Sequence, residues 1–124
     1  MKGVSIQSWN GTHYISLAEL LLVIGVLALR LKWRLRVDEV AIEPGAEAIK
    51  GLPCDATLNV FELLQLITPR VQIIDGECSA YDAAGQLVVI LRAVDGSSWD
   101  VETNDSKIIQ SIANMYPDAV PLPT

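Results

Sequence analysis

The hydrophobic pattern changes period within residues 15–37, ISLAELLLVIGVLALRLKWRLRV, and that stretch organises the chain. Ser16 to Leu29 is apolar apart from Glu19. Ser16-Leu17-Ala18-Glu19 ahead of an apolar run is a capping box, which predicts a helix over 16–29 whose Glu19 carboxylate reaches back to the first-turn amides. Gly25 either allows close packing or marks the helix end. From Arg30 the period becomes two, with Arg30, Lys32, Arg34 and Arg36 on one side and Leu31, Trp33, Leu35 and Val37 on the other. That is a strand with one buried and one cationic face. It runs on towards Ile42, with a bulge expected at Asp38-Glu39, where the alternation breaks, and a stop at Glu43-Pro44-Gly45.

Residues 3–9 alternate as a first strand, followed by an Asn10-Gly11 turn. Residues 46–53 read as a loop or a single helical turn. A second apolar helix is predicted over 58–68, capped by Asp55 or Thr57 and stopped by Pro69. Residues 71–81, 86–94 and 98–103 read as three strands joined by short Asp- and Gly-containing connections, an antiparallel meander. Asn104 or Asp105 caps an amphipathic helix over 106–116, with Ile108, Ile109, Ile112 and Tyr116 on one face. Three prolines keep the tail 117–124 extended. The fold expected is α+β: one domain over 1–124, with an antiparallel sheet of four to five strands packed by two apolar helices and one C-terminal amphipathic helix.

At 124 residues the chain is long enough for a real core without disulfides or metals. Apolar residues make up 51%, so some apolar surface is left over for a partner. The two helices without a wide polar face imply a homodimer. The charge is −6 and unevenly placed: residues 1–36 carry five cations against Glu19, and the remainder four cations against fourteen acids. An acidic balance argues against nucleic acid as partner, and Trp33 lies opposite the cations, so it cannot interleave with them for base stacking. Cys54 and Cys78 form no metal-binding spacing and suit two reduced thiols in a cytoplasmic protein.

The run from Ile15 to Leu29 is shorter than the roughly 20 residues that cross a bilayer and contains Glu19, so a membrane anchor is not expected. SLAELLLVIGVLAL is similar to the start of the type IV pilin helix. Tyr14 stands where that pattern needs glycine, however, and a strand pattern follows, so the family is not adopted.

Little in the sequence announces chemistry. His13 is the one histidine and sits in a turn, with no nucleophile or acid at motif spacing. Asp75, Glu77, Asp100 and Glu102 can gather on one sheet face, either as acid–base or metal-binding carboxylates or as cross-strand partners of the cations, and the second is preferred. No cofactor, metal site or catalytic residue is assigned. The function expected is a non-enzymatic protein-interaction domain acting as a homodimer, with a partner-neutralising, immunity-like role as one example. The candidate interface is Arg34, Arg36, Leu21, Val60 and Leu66. Arg30 and Lys32 are assigned to an ion-pair ladder within the sheet. The alternative is a small-ligand-binding domain with a pocket between sheet and first helix, lined by Leu20, Ile24, Trp33 and Leu35. A membrane-attached protein is the third reading.

Overall fold

A computed structural model describes residues 1–41, 46–67 and 71–123. The elements in chain order are β1 (Lys2–Gln7), α1 (Leu17–Ile24), a 3-10 helix (Gly25–Arg30), β2 (Lys32–Val40), α2 (Ala46–Lys50), α3 (Val60–Ile67), β3 (Ile73–Tyr81), β4 (Leu87–Val94), β5 (Ser98–Thr103), α4 (Ser106–Met115) and β6 (Val120–Pro121). The class is the α+β expected. The strands form one antiparallel sheet in the order β2-β3-β4-β5-β1-β6, so six strands stand where four to five were predicted. The additional strand is the proline tail. Val120 and Pro121 pair with Ser5 and Val4, and a proline is tolerated there because β6 is the sheet edge.

Strand register sorts the side chains into two faces. Val4, Val101, Leu91, Cys78 and Leu35 stand opposite one another across five strands, all buried. One position along, Ser5, Asp100, Arg92, Glu77 and Arg36 form a row on the other face. The buried row meets Leu17, Leu20, Leu21 and Ile24 of α1, Val60, Leu63 and Ile67 of α3, and Ile108 and Ile112 of α4 in one core. Of these helices, α1 packs against both α3 and α4.

Two buried indoles anchor α1 at both ends. Trp99 Nε1 donates to Ile15 O at 2.8 Å, just before the helix, and Trp33 Nε1 donates to Ala28 O at 3.1 Å, just after it. The outer edge of β2 is also covered. Trp33 exchanges backbone hydrogen bonds of 2.7 and 2.8 Å with Leu58, and Leu35 is 2% exposed.

The predicted long first helix is shorter than expected. Gly25 adopts φ 77°, which ends the α-helix, and the chain continues as a 3-10 helix to Arg30. Arg30 therefore lies outside the strand. The second helix begins two residues later than predicted, and its cap is neither Asp55 nor Thr57. Asn59 and Glu62 cap each other, Glu62 N to Asn59 Oδ1 at 2.9 Å and Asn59 N to Glu62 Oε1 at 3.0 Å. The irregularity predicted at Asp38-Glu39 is present as a register shift between β2 and β3. Ile42, the stop at Glu43-Pro44-Gly45 and the stop at Pro69 lie outside the described residues.

Candidate functional site

Three surface features carry possible function. The first is the outer side of α1 and its 3-10 extension. Ser16 Oγ accepts from Glu19 N at 3.1 Å and sets the helical phase. Leu17, Leu20, Leu21 and Ile24 then face the core. Leu22, Val26 and Leu29 face outward at 75%, 69% and 53% exposure. No charge interrupts the chain between Glu19 at the start of this strip and Arg30 at its end. Phe61, on the neighbouring α3, is exposed as well.

This corrects the predicted interface. Leu21 and Val60 are core residues, and Leu66 is half-buried against them. The signal that identifies Leu22 as outward was in the sequence. Glu19 marks the solvent side of the capped helix, and Leu22 follows it at three positions, the helical spacing of one face.

The second feature joins His13, Glu19 and Tyr116. Asn10 Oδ1 accepts from the amides of Thr12 and His13, both at 2.9 Å, closing the Asn-Gly turn. The turn folds His13 back onto the first turn of α1, where Nε2 lies 2.7 Å from Glu19 Oε1. The Tyr116 hydroxyl, just after α4, donates to Glu19 Oε2. Both carboxylate oxygens are thus engaged, so Ser16 supplies its half of the predicted capping box and Glu19 does not supply the other. Burial pushes the Tyr116 pKa up, and the hydrogen bond and charge of Glu19 add to the effect, so the hydroxyl remains a donor.

A carboxylate-oriented imidazole can serve as a general base. Among the described residues, though, no Ser, Thr or Cys side chain is hydrogen-bonded to His13, and no three His, Cys, Asp or Glu side chains cluster as metal ligands. What the cluster demonstrably does is tie the start of α1 to the end of α4. An open cleft of about 400 Å³ adjoins it, lined by Gln7, Trp9, Asn10, Met115, Tyr116 and Asp118 among others.

The third feature is the charged face of the sheet. Arg36 Nη1 pairs with Asp38 at 2.9 Å, and its Nη2 lies 3.8 Å from Glu77. Arg92 Nε donates to Glu77 at 2.9 Å, and Arg92 Nη1 donates to Glu102. Burial works against the Arg92 charge, but Glu102 and Glu77 outweigh it and raise the guanidinium pKa above its ordinary value. The ladder therefore exists, with members other than those assigned. Arg36, placed in an interface by sequence, belongs to it because register sets it opposite Glu77. Lys32 stands opposite Tyr81, and Arg30 precedes the strand; neither has an ion pair among the described residues. Arg34 stacks over the Tyr81 ring at 5.0 Å. Of the four acids, Asp75 stands apart from the ladder and caps a turn by accepting from Asp95 N at 2.9 Å.

The predicted pocket is filled. Leu20, Ile24, Trp33 and Leu35 are packed in the core, because the Trp33 indole occupies the space between the sheet and the 3-10 helix that its N–H anchors. Of the four, only Ile24 reaches a described cleft, a surface depression bounded by Val26, Arg30 and Lys107. Both cysteines are free: Cys54 is exposed, while Cys78 is buried and its thiol pKa is pushed up by that burial, with Glu77 adding to it. No helix among the described residues is long and apolar enough to cross a membrane. Compared with protein-family models, curated proteins and solved structures, the chain matches none.

Proposed function

We propose that the protein is a non-enzymatic interaction domain that acts as a homodimer, with the outer side of α1 in one copy laid against the same side in the other. The observation that carries this reading is the exposure of Leu22 on α1 and of Val26 and Leu29 on the 3-10 helix that follows it. The centre of a protein interface is apolar and depleted of charge, and residues 20–29 offer ten consecutive positions without a charged side chain. A two-fold axis through the middle of the strip sets these apolar positions against their own copies, with no charged side chain between them. The charged sheet face does not supply the contact in this reading, since Arg36 and Arg92 are held by Asp38, Glu77 and Glu102 of their own chain.

Light scattering coupled to size exclusion tests this at micromolar concentration. The wild-type chain should run as a dimer, and Leu22→Glu with Val26→Glu should run as a folded monomer, with a thermal midpoint no higher than that of wild type. A wild-type monomer under these conditions overturns the reading.

A further inference from the structure

We propose that the cleft beside Trp9 binds a neutral saccharide, with one sugar ring stacked on the exposed indole. The site shares no residue with the α1 strip, so this does not rest on self-association.

The three tryptophans divide sharply. Trp33 and Trp99 are fully buried, with their N–H groups bonded to Ala28 and Ile15. Trp9 is 61% exposed, and its N–H has no partner among the described residues. Its backbone is nonetheless fixed. Trp9 bridges Tyr14, Asn10 N donates to His13 O at 3.2 Å, and the Asn10 side chain closes the turn between them. The hairpin thus fixes the backbone that carries an exposed indole lining the cleft.

The lining selects the chemistry. Gln7 and Asp118 are exposed and unpaired among the described residues; the amide both donates and accepts, and the carboxylate accepts. With the indole N–H they form a mixed set suited to hydroxyl groups, each of which donates and accepts at once. A pyranose has this two-sided character, an apolar C–H face and a rim of hydroxyls. The volume of about 400 Å³ lies within the usual range for small-molecule sites.

No Lys or Arg lines the cleft, so an anion has no partner there. A quaternary ammonium or a proline-rich segment needs further aromatic faces beside Trp9. Tyr116, the other aromatic lining residue, is 8% exposed with its hydroxyl committed to Glu19, and it supplies no such face. His13 and Glu19 do not line the cleft, and binding alone is assigned.

The three indole N–H resonances give a test with internal controls. The ¹⁵N-labelled full chain is titrated with cellotriose, maltotriose and chitotriose to roughly 10 mM, enough to saturate a millimolar site. One of them should move the Trp9 indole resonance saturably while those of Trp33 and Trp99 stay in place. Gln7→Ala should weaken the same titration about tenfold, the loss of one good hydrogen-bonding group. Trp9→Ala should abolish the remaining shifts around Gln7 and Asp118 in an otherwise unchanged spectrum. Should that variant misfold, the wild-type indole shift decides alone. A Trp9 resonance that none of the sugars moves overturns the proposal, as does one that responds only to choline or to a polyproline peptide.

Discussion

Helices α1 and α4 lie on the same sheet, pack against each other and bury the same kind of side chain, yet they present opposite faces outward. The outward positions of α4 include Lys107, Gln110 and Asn114, which suit water. Those of α1 and its extension are Leu22, Val26 and Leu29. Both helices satisfy the sheet with one stripe, Ile108 and Ile112 in one case and Leu17, Leu20, Leu21 and Ile24 in the other. The apolar surplus of α1 is therefore not explained by covering the sheet. The comparison separates two causes of hydrophobicity in one helix, a fold-making face and a second face that the fold does not use.

That separation can be broken by mutation. Leu20→Ala and Ile112→Ala remove fully buried side chains from the two helices, and each should cost about 2–5 kcal/mol. Leu22→Ala and Gln110→Ala, at exposed positions, should stay within about 0.5 kcal/mol. Urea denaturation of the four variants at a protein concentration low enough to dissociate any dimer checks this. Equal losses at Leu20 and Leu22 would mean that the outward face of α1 belongs to the fold after all.

The two helices also end differently. Helix α4 stops where Tyr116, at φ −123°, is followed by Pro117. Helix α1 stops on Gly25 at φ 77°, and a Cβ built there meets nothing within 4 Å. Any penalty for a side chain at Gly25 is then conformational rather than steric crowding by neighbours. Gly25→Ala should cost about 1–3 kcal/mol, the penalty for an L-residue at φ 77°, ψ −140°, a region that glycine alone enters readily. Gly25→Asn should cost as much, since φ 77° with ψ −140° lies outside the left-handed helical well that asparagine enters. Equal stability of Gly25→Ala and wild type would show that the helix end is free to relax.

What the sequence disclosed follows the reach of each signal. The meander was legible because its turn residues and alternation are local: 98–103 coincides with β5, and 71–81 and 86–94 differ from β3 and β4 only at their starts. The cap of α4 was legible to within one residue, Asn104 or Asp105, for the same reason; it is Asp105, whose side chain accepts from Lys107 N at 2.8 Å. The end of α1 was left open because a glycine in an apolar run serves packing and termination equally well. That Leu21 is buried and Leu22 exposed was not legible, because every position of the apolar run looks buried until Glu19 is used to set the phase. The His13–Glu19–Tyr116 cluster had no local signature, since Tyr116 is 97 positions from Glu19 and only the packing of α4 on α1 joins them. Likewise, pairing of the tail with β1 depends on where β1 lies in the sheet, which strand patterns alone do not give.

The smallest expected effect concerns the contact that links the two helices. Tyr116→Phe removes the hydroxyl donated to Glu19 and leaves the carboxylate with His13, so the loss near neutral pH should be about 1 kcal/mol. The more telling readout is its pH dependence. In the folded chain the Tyr116 pKa is raised above its ordinary value of 10.0, so the fold favours the neutral phenol. The resulting stabilisation is fully present below about pH 10, where both states hold the proton. Above that the unfolded chain releases its proton while the folded chain retains it, and stability falls as pH rises towards the folded pKa. Phenylalanine has no proton to lose, and Tyr14 and Tyr81 contribute alike to wild type and variant. The stability difference between the two proteins, measured by urea midpoints from about pH 8 to pH 11, should therefore shrink at the alkaline end. A difference that stays constant across that range would detach Tyr116 from Glu19, leaving apolar packing as the sole contact between α4 and the start of α1.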